Sequence, residues 1–139
     1  MLKFDLIWSH VAVVTLANFM LGWLWFSPVL FVKPWMRALG KDPNRKPTKA
    51  DMAQMPKLMA GALLTSFLFS AGTAVLVQSL GAADAGQGAI LGAFVGLVFI
   101  ASHQLGTAFE GRKGMVILIS SAHGLAALIM DAAIHGAWH

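Results

Sequence analysis

The chain has 139 residues, of which 58% are hydrophobic and only 12% charged, with a mean hydropathy of +0.71 and a formal net charge of +4. Soluble domains carry about 25% charged and 45–50% apolar residues, so the composition excludes a soluble globular unit and fits one polytopic membrane domain over residues 1–139. Cysteine is absent, which removes disulfides, thiolate catalysis and thiolate metal centres together.

In chain order, the first apolar run covers 6–31. It is about twice the length of a signal-peptide core and lacks a small-residue exit, so it reads as a retained transmembrane helix. It ends in Gly22-Trp-Leu-Trp-Phe-Ser-Pro-Val-Leu-Phe-Val-Lys-Pro-Trp35. Trp23, Trp25 and Trp35 suit the lipid headgroup level. Pro28 lacks an N–H and biases Ser27 out of the α region, so a kink or a new segment is expected there. Pro34 to Gly40 predicts a short interfacial helix, followed by polar loop to Pro47. Thr48-x-x-Asp51 is a capping-box pattern that opens the next helix early, with Pro56 near the surface. Three further spans of the required length of about 20 residues are expected at 57–80, 86–109 and 115–137. The predicted fold is therefore all-α, an integral membrane bundle of four transmembrane helices with a short interfacial helix in the first loop.

Charge sets the expected orientation. Lys33, Arg37, Lys41, Arg45, Lys46, Lys49 and Lys57 lie in or beside the first loop, and Arg112 and Lys113 in the third connection. Only Lys3 falls on the other side. By the positive-inside bias both loops face the cytoplasm and both termini lie outside. The same cluster, lying beside apolar spans, points to anionic lipid as a partner and away from nucleic acid.

Small residues recur every four positions at Gly88, Gly92 and Gly96 on the third span, and at Ala62, Ser66, Ser70 and Ala74 on the second. Such stripes let backbones approach closely. Packing inside the molecule is the plain expectation, favoured by the short hairpin joining the two spans; an oligomer interface is the sharper one.

Ionisable and polar groups inside spans are costly and mark places where chemistry can sit. Asn18, His123 and Asp131 are the deepest and form a candidate polar path. His10, Asp131, His135 and His139 lie toward the outer surface. Asp131, His135 and His139 share a helix face by their spacing of four, giving a nitrogen and oxygen set of the type used for zinc or copper. Against this, histidines near an interface and a chain end are ordinarily solvated, and Asp131 has His135 as a ready partner. A bis-histidine haem requires two His at matching depth; His10 with His135, or His103 with His123, meet that only loosely. No cofactor is expected. Phosphate-loop, His-Glu-x-x-His and paired-carboxylate signatures are missing, which argues against an enzyme.

The segment Gly22-x-x-Trp25-Phe26-Ser27-Pro28-x-Leu30-Phe31-x-x-x-Trp35 closely resembles an uncharacterised bacterial membrane family, domain-of-unknown-function family 1761. The resemblance resumes at Phe109-Glu110-Gly111-Arg112 and continues to Trp138. Phe26 stands where that family commonly has tyrosine, and Asp131 and His139 fall outside its pattern. The resemblance implies a four-helix membrane protein and no particular activity. The expected function is an oligomeric or accessory membrane subunit. The alternative is a small transporter or channel through Asn18, His123 and Asp131, and a third reading is an outer-face metal or haem site. Small multidrug exporters, of similar size, work as antiparallel dimers around a membrane-embedded carboxylate. The one-sided charge and a first span with Asn18 but no carboxylate count against that class.

Overall fold

The computed structural model describes residues 1–138; His139 lies outside the described residues. Five helices follow one another: α1 (Trp8–Trp25), α2 (Val32–Ala38), α3 (Lys49–Leu80), α4 (Ala85–Phe109) and α5 (Gly114–Ala137). No strand occurs among the described residues.

Local chemistry fixes most of the ends. Past α1, the Ser27 hydroxyl donates to the Leu24 carbonyl at 2.7 Å and accepts from the Val29 amide at 3.3 Å, while Pro28 has no amide to continue the ladder. α3 opens on the expected capping box: the Asp51 amide donates to Thr48 Oγ1 at 3.2 Å, and the Thr48 amide to Asp51 Oδ2 at 2.8 Å. Pro56 lies within α3 without ending it. At Gly81 the backbone turns left-handed (φ +69°), a conformation glycine adopts freely. Asp84 then caps α4, accepting from the Gln87 amide at 2.8 Å.

Three helices, α3, α4 and α5, are long and apolar enough to cross a membrane. The first expected span, 6–31, is corrected by the structure. It forms only the 18-residue α1, because Ser27–Pro28 turns the chain after Trp25, and His10 and Asn18 lower its apolar content. α3 exceeds expectation, with 32 residues, or ~48 Å of helix rise against a core of ~30 Å. Its first turns, with Asp51 and its Arg45 ion pair of 2.9 Å, precede the stretch 57–80 expected as the span.

α1, α3 and α5 pack as a triangle, and α4 lies almost wholly against α5. At one end the Lys3 amide donates to Ser79 Oγ at 2.7 Å, and the His10 ring lies 4.6 Å from Trp138. We call this the terminal end. At the opposite, basic end Trp25 Nε1 donates to the Ile119 carbonyl at 3.1 Å. The nine cations from Lys33 onward belong to the loops and helix ends gathered there.

The small-residue stripes do not face each other. Gly88, Gly92 and Gly96 all face α5: a methyl added at Gly88 would overlap the Ala132 carbonyl oxygen, and one at Gly92 that of Leu128. A methyl at Gly96 would come within 2.7 Å of a Leu125 methyl. Ser66, Ser70 and Ala74 face α1 and α5 instead, and Ala62 is exposed.

Candidate functional site

Between α1, α3 and α5 lies a buried polar cluster. Asn18 Nδ2 donates to Asp131 Oδ2 at 2.6 Å, and Ser66 Oγ donates to Asn18 Oδ1 at 3.0 Å. One turn nearer the terminal end, Ser70 Oγ donates to the Val11 carbonyl at 2.9 Å and lies 3.2 Å from His135 Nε2. Thr15 Oγ1 donates to the same carbonyl at 2.7 Å. Asp131 and Ser70 are 0% exposed and His135 6%. Asp131 Oδ1 is the exception in this cluster, enclosed and with no hydrogen-bond partner. Leaving such an oxygen unpaired costs more than the bond it forgoes, since the group has lost its water.

These residues converge because each helix shows one polar stripe at helical spacing. Thr15 and Asn18 lie three apart on α1, Ser66 and Ser70 four apart on α3, and Asp131 and His135 four apart on α5. Of the expected polar path, Asn18 and Asp131 are brought together and His123 is not. His123 lies two turns toward the basic end, separated from Asp131 by Ala127, itself 0% exposed. Its Nε2 has no partner and faces Gly22, where an added methyl would approach to 3.2 Å. The rings of Trp25 and Phe26 flank it at 5.9 and 5.4 Å.

The Gly22–Trp35 segment thus folds over α5. Trp25 and Trp35 turn inward, leaving Trp23, 68% exposed, as the outward indole. Phe31 stacks on Trp25 at 4.7 Å, Phe26 meets Trp35 edge-on at 5.5 Å, and Trp35 Nε1 is buried without a partner. Trp23 alone of the three keeps the outward position expected of a headgroup anchor; the other two pack inward toward α5. Glu110 and Arg112 pair at 2.9 Å on the exposed α4–α5 turn, around Gly111 at φ +69°.

His10 and His135 line one cavity of about 130 Å³ at the terminal end, together with Gln78 and Trp138. His135 is enclosed rather than solvated, because α5 continues to Ala137 beside the start of α1. Among the described residues no group of three or more His, Cys, Asp or Glu gathers to hold a metal ion. Asp131 Oδ2 is held by Asn18, and Asp131 does not line that cavity; the expected fourth ligand, His139, is outside the described residues. His103 is exposed on α4 against Phe99 and does not face His123. Residue types alone did not reveal Ser66, Ser70 and Gln78 as part of this site. The available signal was two serines one turn apart on an apolar helix, at the level of a carboxylate on another.

Comparison with known proteins leaves the activity open. A family model described as "Protein of unknown function (DUF1761)" matches residues 9–136. No curated protein matches, and no solved structure does.

Proposed function

The chain belongs to the DUF1761 family of proteins of unknown function, and we propose that it is a four-span inner-membrane protein whose buried carboxyl, Asp131, takes up and releases a proton. The fourth span is α1: its 18 residues rise ~27 Å, close to the hydrocarbon thickness. The nine cations gathered at the basic end support a cytoplasmic placement of that end, with both termini outside. They also favour anionic headgroups there, at about 1 kcal/mol per cation near the surface.

The observation that carries the reading is Asp131 itself, fully enclosed, with one oxygen held by Asn18 and the other without a partner. A purely architectural bond between α1 and α5 is served as well by a neutral amide, at no risk of a stranded charge. A carboxyl with one oxygen held and one open is suited to binding a proton at the open oxygen and giving it up again. Reconstituting the chain into liposomes with a trapped pH dye and an imposed potential tests this. Wild type should carry protons faster than protein-free liposomes, and Asp131→Asn should lose roughly tenfold or more of that rate. Equal flux in the variant, or none in wild type, overturns the reading.

A second reading, the oligomeric or accessory subunit, is favoured by α4. That helix packs almost wholly on α5 and leaves Ile90, Phe94, Leu97 and Val98 exposed. Native mass spectrometry from mild detergent distinguishes an assembly from a lone monomer.

A further inference from the structure

We infer that the cavity between His10, Gln78 and His135 is a water port that in this conformation connects Asp131 to the terminal end of the bundle and to that end alone, so that carriage across the bundle passes through a second conformation open toward the basic end. The inference rests on the proton-exchange reading of Asp131 and adds the side from which the proton comes.

The cavity is built to hold water. Its volume of about 130 Å³ accommodates roughly four waters at ~30 Å³ each, and a buried water needs 2–4 polar partners. His10, Gln78 and His135 supply these on an otherwise apolar wall that includes Ile7 and Val77. The ligand is water and the hydronium it carries. Two imidazoles and an amide fall short of the three protein ligands of a catalytic zinc site, and the space is below the ~300 Å³ at which pockets for drug-sized ligands begin.

His135 joins the cavity to the cluster. It lines the cavity and also lies 3.2 Å from Ser70 Oγ through Nε2. The Ser70 hydroxyl has one proton, and while that proton is donated to the Val11 carbonyl the oxygen receives one from His135 Nε2–H. Asp131 stands one turn deeper on the same face of α5, ~6 Å along the axis. Exchange then consists of hydronium in the cavity giving its proton through His135 to Asp131 Oδ1, leaving water behind and a neutral carboxyl. The reverse step returns the proton to water.

Toward the basic end the polar row stops. From Asp131 the face continues through Ala127 to His123, ~12 Å of helix with no polar side chain on it. His123 Nε2 is in turn shut off by Gly22 and the rings of Trp25 and Phe26. The groups meeting Asp131 and the cavity from each packed element are Asn18, Thr15 and His10 of α1, Ser66, Ser70 and Gln78 of α3, and His135 of α5. α4 packs on another face of α5, and its His103 is exposed.

The absence of cysteine makes the test direct, because any introduced thiol is the sole one. A membrane-impermeant maleimide reacts only with a thiolate in contact with water. Gln78→Cys should label from the terminal face about tenfold or more faster than from the basic face, and faster than Ala127→Cys from either. As a second variant, Gln78→Trp fills the cavity and should slow Asp131-dependent proton flux in liposomes while the protein still elutes as one species from detergent. Labelling of Gln78→Cys from the basic face, failure to label from both, or unaltered flux in Gln78→Trp overturns the port. The port fails on labelling even where Asp131→Asn abolishes flux, and Asp131 fails on flux even where the port labels, so the two inferences are separable.

Discussion

Asn18 and Asp131, 113 positions apart in sequence, meet at 2.6 Å where α1 crosses α5. Asn18 is also the acceptor for Ser66, so one amide holds three helices together. Replacing it with leucine strips a buried carboxyl of its donor and a buried hydroxyl of its acceptor. Asn18→Leu should lower the unfolding free energy by about 1–3 kcal/mol, read by denaturation in mixed micelles. The double variant Asn18→Leu/Asp131→Leu should regain most of that loss, because no unpaired charge is left. A double variant as unstable as the sum of the single ones would show that packing, not the stranded carboxyl, sets the cost.

Glycines separate into two classes by what surrounds them. At Gly92 a side chain would run into the Leu128 carbonyl and the Ile129 backbone, whereas nothing lies within 4 Å of an added methyl at Gly61 or Gly72. Gly92→Val should therefore destabilise by about 3 kcal/mol or more through overpacking. Gly72→Ala should be neutral or stabilise by up to about 1 kcal/mol, by restricting the unfolded chain. Thermal melts of the two variants in the same detergent compare them directly; a harmless Gly92→Val would contradict the close α4–α5 approach.

Trp25→Phe keeps a ring but loses the N–H that bonds to the Ile119 carbonyl, at a cost of about 0.5–1.5 kcal/mol. Trp23→Phe, on the outward face, should stay within about 0.5 kcal/mol of wild type. Equal losses at both positions would remove the distinction between an inward and an outward indole.

Asp51 supplies a pH dependence outside the membrane. Its carboxyl lies below the ordinary carboxylate value, first because the Thr48 amide bonds to it, then through the Thr48 hydroxyl and the Arg45 guanidinium. A group whose folded pKa is depressed stabilises the fold above its unfolded value, and that support is lost as pH falls through the folded value. The start of α3 should thus hold its helical Cα chemical shifts at neutral pH and fray as pH falls below the ordinary carboxylate range. Asp51→Asn should flatten this response; an unchanged profile in the variant would assign the fraying to another group.

Composition and pattern made α3, α4 and α5 readable, because an uninterrupted apolar length admits few alternatives to a span. The Thr48–Asp51 cap was readable for a similar reason, since its chemistry is local. What periodicity cannot supply is the neighbour. Gly88, Gly92 and Gly96 define a face, but only the fold shows that face to meet α5 rather than the helix one short hairpin away. The length of α1 was overestimated because the apolar run continues past Trp25 after the helix has turned at Ser27–Pro28. Asn18 and Asp131 were placed at depth from their positions, yet their contact depends on how α1 crosses α5. His135 is enclosed by a tertiary neighbour at the chain start, which no local count of exposure registers.

The manner in which the helices are joined divides the molecule mechanically. Along the glycine stripe α4 and α5 touch main chain to main chain, a joint with little freedom to slide. α1 and α3 meet α5 through side-chain hydrogen bonds at Asn18, Trp25 and Ser70, joints that break and re-form without moving a backbone out of place. The bundle is therefore a stiff pair hinged to a looser one, and the seam between them passes through Asp131.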